Sequence, residues 1–222
     1  FVKYLIKYIN NSNFRDIDIM KDKIEKCFIE IDDELYKLNY ESGSTAVVCL
    51  MIKDYVYMIN LGDSRGILFS YNKNEKGKKD GKMIVSNNNI TVDHKPDDIN
   101  EFNYIKQCNG RVEYDNEDDS YRVNGDLAMS RAFGDFELKY DQNESNIFKG
   151  PVSCRPDIIS HKLNKNKIYS IILASDGLWD IITNKRCLGF LDKFGIKDGC
   201  KVLMKLALQD SWDNITILTT NL

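Results

Sequence analysis

No apolar run in these 222 residues approaches the ~20 that a membrane-spanning helix needs, so no membrane segment is expected. Charge of one sign is not in excess either. The formal net charge is -3, which excludes the strongly basic field of a nucleic-acid or membrane-surface binder. Histidine is scarce, with only His94 and His161, and neither stands in a zinc pattern with a cysteine. The six cysteines (Cys27, Cys49, Cys108, Cys154, Cys187 and Cys200) form no Cys-x-x-Cys pair. Several lie in apolar segments, as reduced core cysteines do. A reducing compartment, cytoplasmic or nuclear, is therefore expected in place of a disulfide framework. Gly43-Ser44-Thr45 lacks the lysine of a nucleotide-binding loop and leads into a strand. There is no Gly-x-Ser-x-Gly elbow and no convincing Ser-x-x-Lys, and two histidines give a Ser/His/Asp triad no support. The first residue is Phe1, not Met, so the missing signal peptide carries little weight.

What is present is an ordinary soluble composition, 42% hydrophobic and 29% charged, long enough for one large domain or two small ones. Apolar spacing predicts a short helix over 1–9 and a long amphipathic one over 16–38, with Ile24, Cys27, Phe28, Ile31, Leu35 and Leu38 inward. Strands are expected over 45–52, 55–61 and 65–70, joined by turns at Lys53-Asp54 and Gly62-Asp63-Ser64 into an antiparallel meander. Residues 71–82 read as a mobile lysine-rich loop, followed by short strands at 83–85 and 90–92. Pro96 is placed to open a helix over 97–108, which Asn109-Gly110 stops. After a strand over 111–114 come an acidic loop over 115–120, an irregular stretch over 121–135 and a polar surface excursion over 136–150. Strands over 156–160, 167–174 and 215–220 enclose helices over 177–194, broken near Thr183-Asn184, and 198–208. Strands in two sets with grouped helices imply antiparallel sheets with helices packed outside, in one domain.

The stretch that organises the rest is Ile171-Ile172-Leu173-Ala174-Ser175-Asp176-Gly177-Leu178-Trp179-Asp180. An apolar strand ends in a carboxylate, which suits a hard cation such as Mg²⁺ or Mn²⁺. A helix-capping turn explains the same residues. Asp93, after Ile90-Thr91-Val92, and Asp213, before Ile215, share that setting at a strand mouth. Three carboxylates converging there could hold a metal pair that clamps a phosphoryl group, whereas three unrelated turns remain the plainer explanation. Beside Asp93, His94 reads as structural. Asp63 reads as a hairpin residue, and Arg131 as a salt-bridge partner ahead of a phosphate ligand.

Seven motifs in order then carry a resemblance. They are Ser42-Gly43-Ser44-Thr45-Ala46, Asn60-Leu61-Gly62-Asp63-Ser64-Arg65-Gly66, Asp93-His94-Lys95-Pro96, Arg122 through Asp135, Pro156-Asp157, Ser175 through Asp180, and Asp213-Asn214-Ile215-Thr216. Together they resemble the metal-dependent Ser/Thr protein phosphatases of type 2C along the whole chain. The resemblance implies an α+β fold, a four-layer α-β-β-α sandwich of two antiparallel sheets. It implies Mg²⁺ or Mn²⁺, two or three ions, with Asp176 and Asp213 on the metal pair and Asp93 with Asp176 on a third ion. The nucleophile would be a metal-bound water, the substrates phosphoproteins, and residues 136–153 a variable flap. The family's Asp-Gly-His-Gly motif is not among these residues, which reads as an N-terminally truncated catalytic domain over 1–222. An open sheet edge would then invite self-association. The competing reading is a phosphatase-like scaffold or regulatory module without turnover.

Overall fold

The computed structural model describes residues 2–9, 13–139 and 150–222. In chain order the described elements are α1 (Val2–Ile9), α2 (Ile17–Lys37), β1 (Ala46–Ile52), β2 (Tyr55–Leu61), β3 (Arg65–Lys73), β4 (Lys79–Ile90) and α3 (Ile99–Gln107). They continue with β5 (Val112–Asp115), β6 (Ser120–Val123), β7 (Asp157–Lys162), β8 (Lys167–Ala174), α4 (Asp176–Trp179), α5 (Asn184–Asp210) and β9 (Ile217–Asn221). Two compact units divide them. The first comprises Phe1–Ala46, Leu61–Asp63 and Asp93–Asp157, the second Val47–Asn60, Ser64–Val92 and Ile158–Leu222.

The second unit holds the sheets, ordered β1-β2-β7 and β4-β3-β8-β9. β8 explains why its sequence is apolar almost without interruption. Tyr169 and Ile171 face one way and pack with Val56, Met58 and Leu68 between the two sheets. Ile172 and Ala174 face the other way, onto Cys187, Leu188, Leu191, Leu203 and Ala207 of α5. With both faces covered, period-two alternation has no polar side to mark. β8 pairs antiparallel with β3 from Arg65↔Ala174 to Asn72↔Lys167, and with β9 from Ser170↔Asn221 to Ala174↔Ile217. The expected α+β sandwich of antiparallel sheets is thus the observed class, with α5 as an outer helical layer. α5 runs through Gly195, whose φ of 76° kinks it where the sequence predicts separate helices.

The first unit is built on α2. Asp16 caps it, its side chain accepting from the Ile19 N–H at 3.2 Å. The buried face is Met20, Ile24, Cys27, Phe28 and Asp32, while the expected Leu38 is exposed. Asp32 sits on an apolar stripe because Lys139 meets it. Lys139 Nζ donates to Asp32 Oδ2 at 2.7 Å and to the Ala132 carbonyl at 2.8 Å, and the Gly134 N–H donates to Asp32 Oδ1 at 2.8 Å. Ile105, Val123, Ala132 and Val152 form a second cluster under α3 and the β5-β6 hairpin.

Several expectations are corrected. β2 and β3 do not make a hairpin. They lie in different sheets, because Gly62 and Asp63 carry the chain across with their polar groups engaged, as described below. Residues 71–82 are no loose loop. β3 runs to Lys73 and β4 starts at Lys79, closed by Asn74, whose side chain accepts from the Lys76 and Lys78 N–H groups, and by Gly77 at φ 71°. Asp98, not Pro96, opens α3, accepting from the Asn100 N–H at 2.9 Å. β6 occupies part of the stretch read as irregular. Phe136 and Lys139 are buried, so the excursion over 136–150 begins anchored. Of the expected flap over 136–153, residues 140–149 lie outside the described residues. The six cysteines are all free thiols. Among the described residues no helix is long and apolar enough to cross a membrane.

Candidate metal centre

Asp176 owes its position to Trp179. β8 ends at Ala174, Ser175 is the extended N-cap residue, and Asp176 is the first residue of α4. The buried Trp179 indole N–H donates to the Ala174 carbonyl at 2.9 Å and reaches the Arg65 carbonyl at 3.2 Å. It thus ties the short helix back onto the paired ends of β3 and β8. The Arg65 guanidinium lies 5.1 Å from the Trp179 ring centroid and donates to Asn184 Oδ1 at 2.7 Å. The Gly177 N–H donates to Asp176 Oδ1 at 3.0 Å.

The segment carrying Asp213 is sewn to this strand end. Ser175 Oγ donates to the Asn214 carbonyl at 3.2 Å and accepts from the Thr216 N–H at 3.0 Å, while the Ser175 N–H donates to the Thr216 carbonyl at 3.1 Å. Gly177 allows the approach: a Cβ there would stand 2.5 Å from the Asn214 carbonyl oxygen. Asp213 Oδ1 accepts from the Asn214 N–H at 2.6 Å, and Asp213 is exposed. Of the three aspartates singled out in the sequence, Asp176 and Asp213 are therefore on adjoining backbone. Asp93 belongs to the first unit. Ser175 and Trp179 are contributors that sequence reasoning passed over; only their place either side of Asp176-Gly177 marked them.

Two carboxylates on water-accessible ends of rigid elements suit one hard cation. Mg²⁺ is commonly held through one or two carboxylates while keeping waters. Among the described residues no group of three or more His, Cys, Asp or Glu side chains is gathered for a metal ion. The donor chemistry of these two carboxylates is that of a hard-cation site, and no larger donor set for a metal ion is gathered among these residues.

In the first unit, the motif residues around His94 serve structure. His94 is buried, and its Nδ1 accepts from the Gly62 N–H at 3.0 Å. The ring proton is therefore on Nε2, 3.3 Å from Asp157 Oδ2, near enough for attraction but short of good hydrogen-bond alignment. Buried Asp63, expected in a hairpin, accepts from Lys95 Nζ at 2.6 Å. Arg131 is a salt-bridge residue: Nε donates to Glu101 Oε2 at 3.0 Å and Nη1 to Asp157 Oδ1 at 2.9 Å. Ser130 Oγ donates to the same Glu101 oxygen at 2.6 Å.

The His94 ring, and after it the Arg131 guanidinium, hold the Asp157 carboxyl down at about 2. A carboxylate held below its unfolded value of ~3.9 adds stability that is complete above pH ~4 and lost as the pH falls towards 2. Urea melts from pH 6 to pH 2 should show this acid loss, shallower in Asp157→Asn. An identical slope in the variant would remove Asp157 from the account.

A family model described as Protein phosphatase 2C matches residues 4–209. The chain is 33% identical over 211 residues to Protein phosphatase 2C homolog 4 of Saccharomyces cerevisiae, covering 86% of this chain and 49% of that protein. It is 33% identical over 205 residues to Protein phosphatase 1L of Bos taurus, covering 88% of this chain and 50% of that one. The chain thus spans about half the length of these curated relatives. The crystal structure of a serine-threonine phosphatase 2C from Toxoplasma gondii has the same fold, with a TM-score of 0.72, 23% identity and coverage of 99% of this chain and 77% of that one.

Proposed function

The chain belongs to the protein phosphatase 2C family, and from that premise we propose that residues 1–222 form the catalytic domain of a Mg²⁺- or Mn²⁺-dependent hydrolase of phosphoserine and phosphothreonine in proteins. The observation that carries the proposal is the stitching of the Ser175-Asp176-Gly177 strand end to the 213–216 segment. It supports Asp176 and Asp213 as the carboxylates that would hold a divalent cation, with Asp93 as a further ligand by its motif. Such a cation, when bound, polarises a phosphoryl oxygen and makes water nucleophilic near neutral pH. The chain's own part is to fix the two carboxylates. Ser175 fixes their backbones, Trp179 fixes α4, and the absence of a Cβ at Gly177 admits the Asn214 carbonyl. No side-chain nucleophile is required. Phosphoprotein substrates, a reducing compartment and self-association through an outer strand of a sheet belong to the same proposal. The six free thiols support the compartment.

A second reading, a phosphatase-like regulatory module without turnover, is favoured by the absence of a gathered donor set among the described residues. One assay separates the two. The full-length protein, freed of metal with EDTA and given Mn²⁺, should release phosphate from a phosphoserine peptide. No release at any Mn²⁺ concentration would leave the regulatory module as the better reading.

A further inference from the structure

The second unit contains a cavity of about 370 Å³ with no part in the phosphatase proposal. One wall is an irregularity in β4. The register runs from Ile67↔Ile90 to Phe69↔Val85, so Leu68 alone on β3 faces four residues of β4, Ser86-Asn87-Asn88-Asn89. An edge strand bulged to this degree re-aims its side chains, and Ser86, Asn88 and Asn89 line the cavity. The opposite wall comes from the start of β8 and the end of β7, with Lys167 and His161.

The polar groups here are suited to an anion. No carboxylate lines the cavity among the described residues. Lys167 has no ion pair there. Ser70, 5% exposed, lines the cavity with its hydroxyl-bearing side chain. A serine hydroxyl at that position can donate to a ligand oxygen. Tyr169 Oη accepts from the Asn164 N–H at 3.1 Å and stands 3.2 Å from His161 Nε2. Burial, and then the Lys167 charge, hold His161 below its usual range. An anion between Lys167 and His161 would reverse that shift by favouring the imidazolium.

We propose that this cavity is a binding site for a phosphomonoester, its phosphate held by Lys167, His161 and Ser70 and its organic part by the Ser-Asn bulge of β4. A lysine supplies the point charge, and Ser and Asn supply neutral donors that satisfy phosphate oxygens. The volume falls in the range of small-molecule pockets and is far larger than bare phosphate needs, which favours an ester over the free ion.

The test is an NMR titration of the full-length protein with EDTA present, so that no divalent cation can capture phosphate elsewhere. The His161 resonances are assigned by their loss in His161→Gln, and buried His94 serves as an internal reference. Glycerol 2-phosphate should move the His161 resonances saturably in the millimolar range and raise the His161 pKa by about one unit, a tenfold preference for the charged ring. Inorganic phosphate should do so more weakly, and Lys167→Met should weaken both at least tenfold. The Asp176→Ala/Asp213→Ala double variant should respond as wild type does, which separates this site from the proposed metal centre. Stronger binding of inorganic phosphate than of the ester would overturn the ester assignment. Unmoved His161 resonances in the wild-type protein, or equal shifts in Lys167→Met, would overturn the site.

Discussion

Asp176→Ala in the full-length protein is expected to lower kcat/KM for a phosphoserine peptide by roughly 10³-fold, about 4 kcal/mol of transition-state stabilisation at 1.36 kcal/mol per tenfold. The loss comes from charge. A divalent cation held by two carboxylates loses half of its protein ligands when one is removed, and with them the electrostatic stabilisation that it gives the phosphoryl group. Asp213→Ala should match it, because Ser175 binds the backbones of both segments into one unit. Asp93→Ala should cost less, as a ligand carried by its motif alone. Asp198→Ala is the control: Asp198 is on the exposed surface of α5 and pairs with Lys201 at 2.8 Å, and losing a surface pair changes little. The variants should remain folded, since neither Asp176 nor Asp213 is in the apolar cluster beneath α5. Activity within about threefold of wild type in Asp176→Ala, checked by near-ultraviolet circular dichroism for a native fold, would be incompatible with a metal role.

The largest stability effect is expected at Lys139. Its ammonium and the Asp32 carboxylate are 1% and 0% exposed, so removing either partner strands the other without water. Breaking such a pair costs roughly 3–5 kcal/mol, whereas replacing both partners with apolar residues is often nearly neutral. Lys139→Met should therefore lower Tm by about 10 °C for a chain of this size. The Asp32→Leu/Lys139→Met double variant should recover much of the loss. The local cause is specific: Asp32 also accepts from the Gly134 N–H, and Lys139 donates to the Ala132 carbonyl. Asp32→Leu alone therefore leaves a buried ammonium without a counter-charge and a backbone N–H unpaired. A loss below ~1 kcal/mol in both single variants by urea denaturation would mean that water reaches the pair and that the first unit is anchored elsewhere.

How legible each feature was depends on whether its signal was local. β8 and the Asp176 turn were legible because a strand buried on both faces is apolar throughout and ends abruptly at a carboxylate. Arg131 was read correctly as an ion-pair residue, and His94 as structural. The partners could not be read, because Glu101 and Asp157 lie 30 and 26 residues from Arg131. Asp32 and Lys139 stand 107 residues apart, and Asp32 is one of several charged residues on α2 with no local sign of burial. β4 was legible only in part, as a short strand over 83–85 and the edge of one over 90–92, for a different reason. As an edge strand it is mostly exposed, and its four-residue bulge breaks the period-two pattern that marks a strand. The Gly62-Asp63-Ser64 turn was taken for a hairpin because short turns usually join neighbouring strands. Here its polar groups are taken up by His94 and Lys95, and the chain passes to the other sheet. At the candidate metal centre the aspartates were legible but their support was not. Ser175 and Trp179 act through backbone carbonyls and amides, and such contacts leave no residue pattern in a sequence.

The central claim is that Asp176 and Asp213 together hold a divalent cation. The direct test is calorimetric titration of Mn²⁺ into the full-length protein and into Asp176→Ala, Asp213→Ala and the double variant. The account predicts saturable binding in the wild-type protein, weakened at least tenfold by either single change. It also predicts that the double variant is scarcely worse than either single one, because the two carboxylates act as one site. Unaltered Mn²⁺ affinity in the double variant would contradict it.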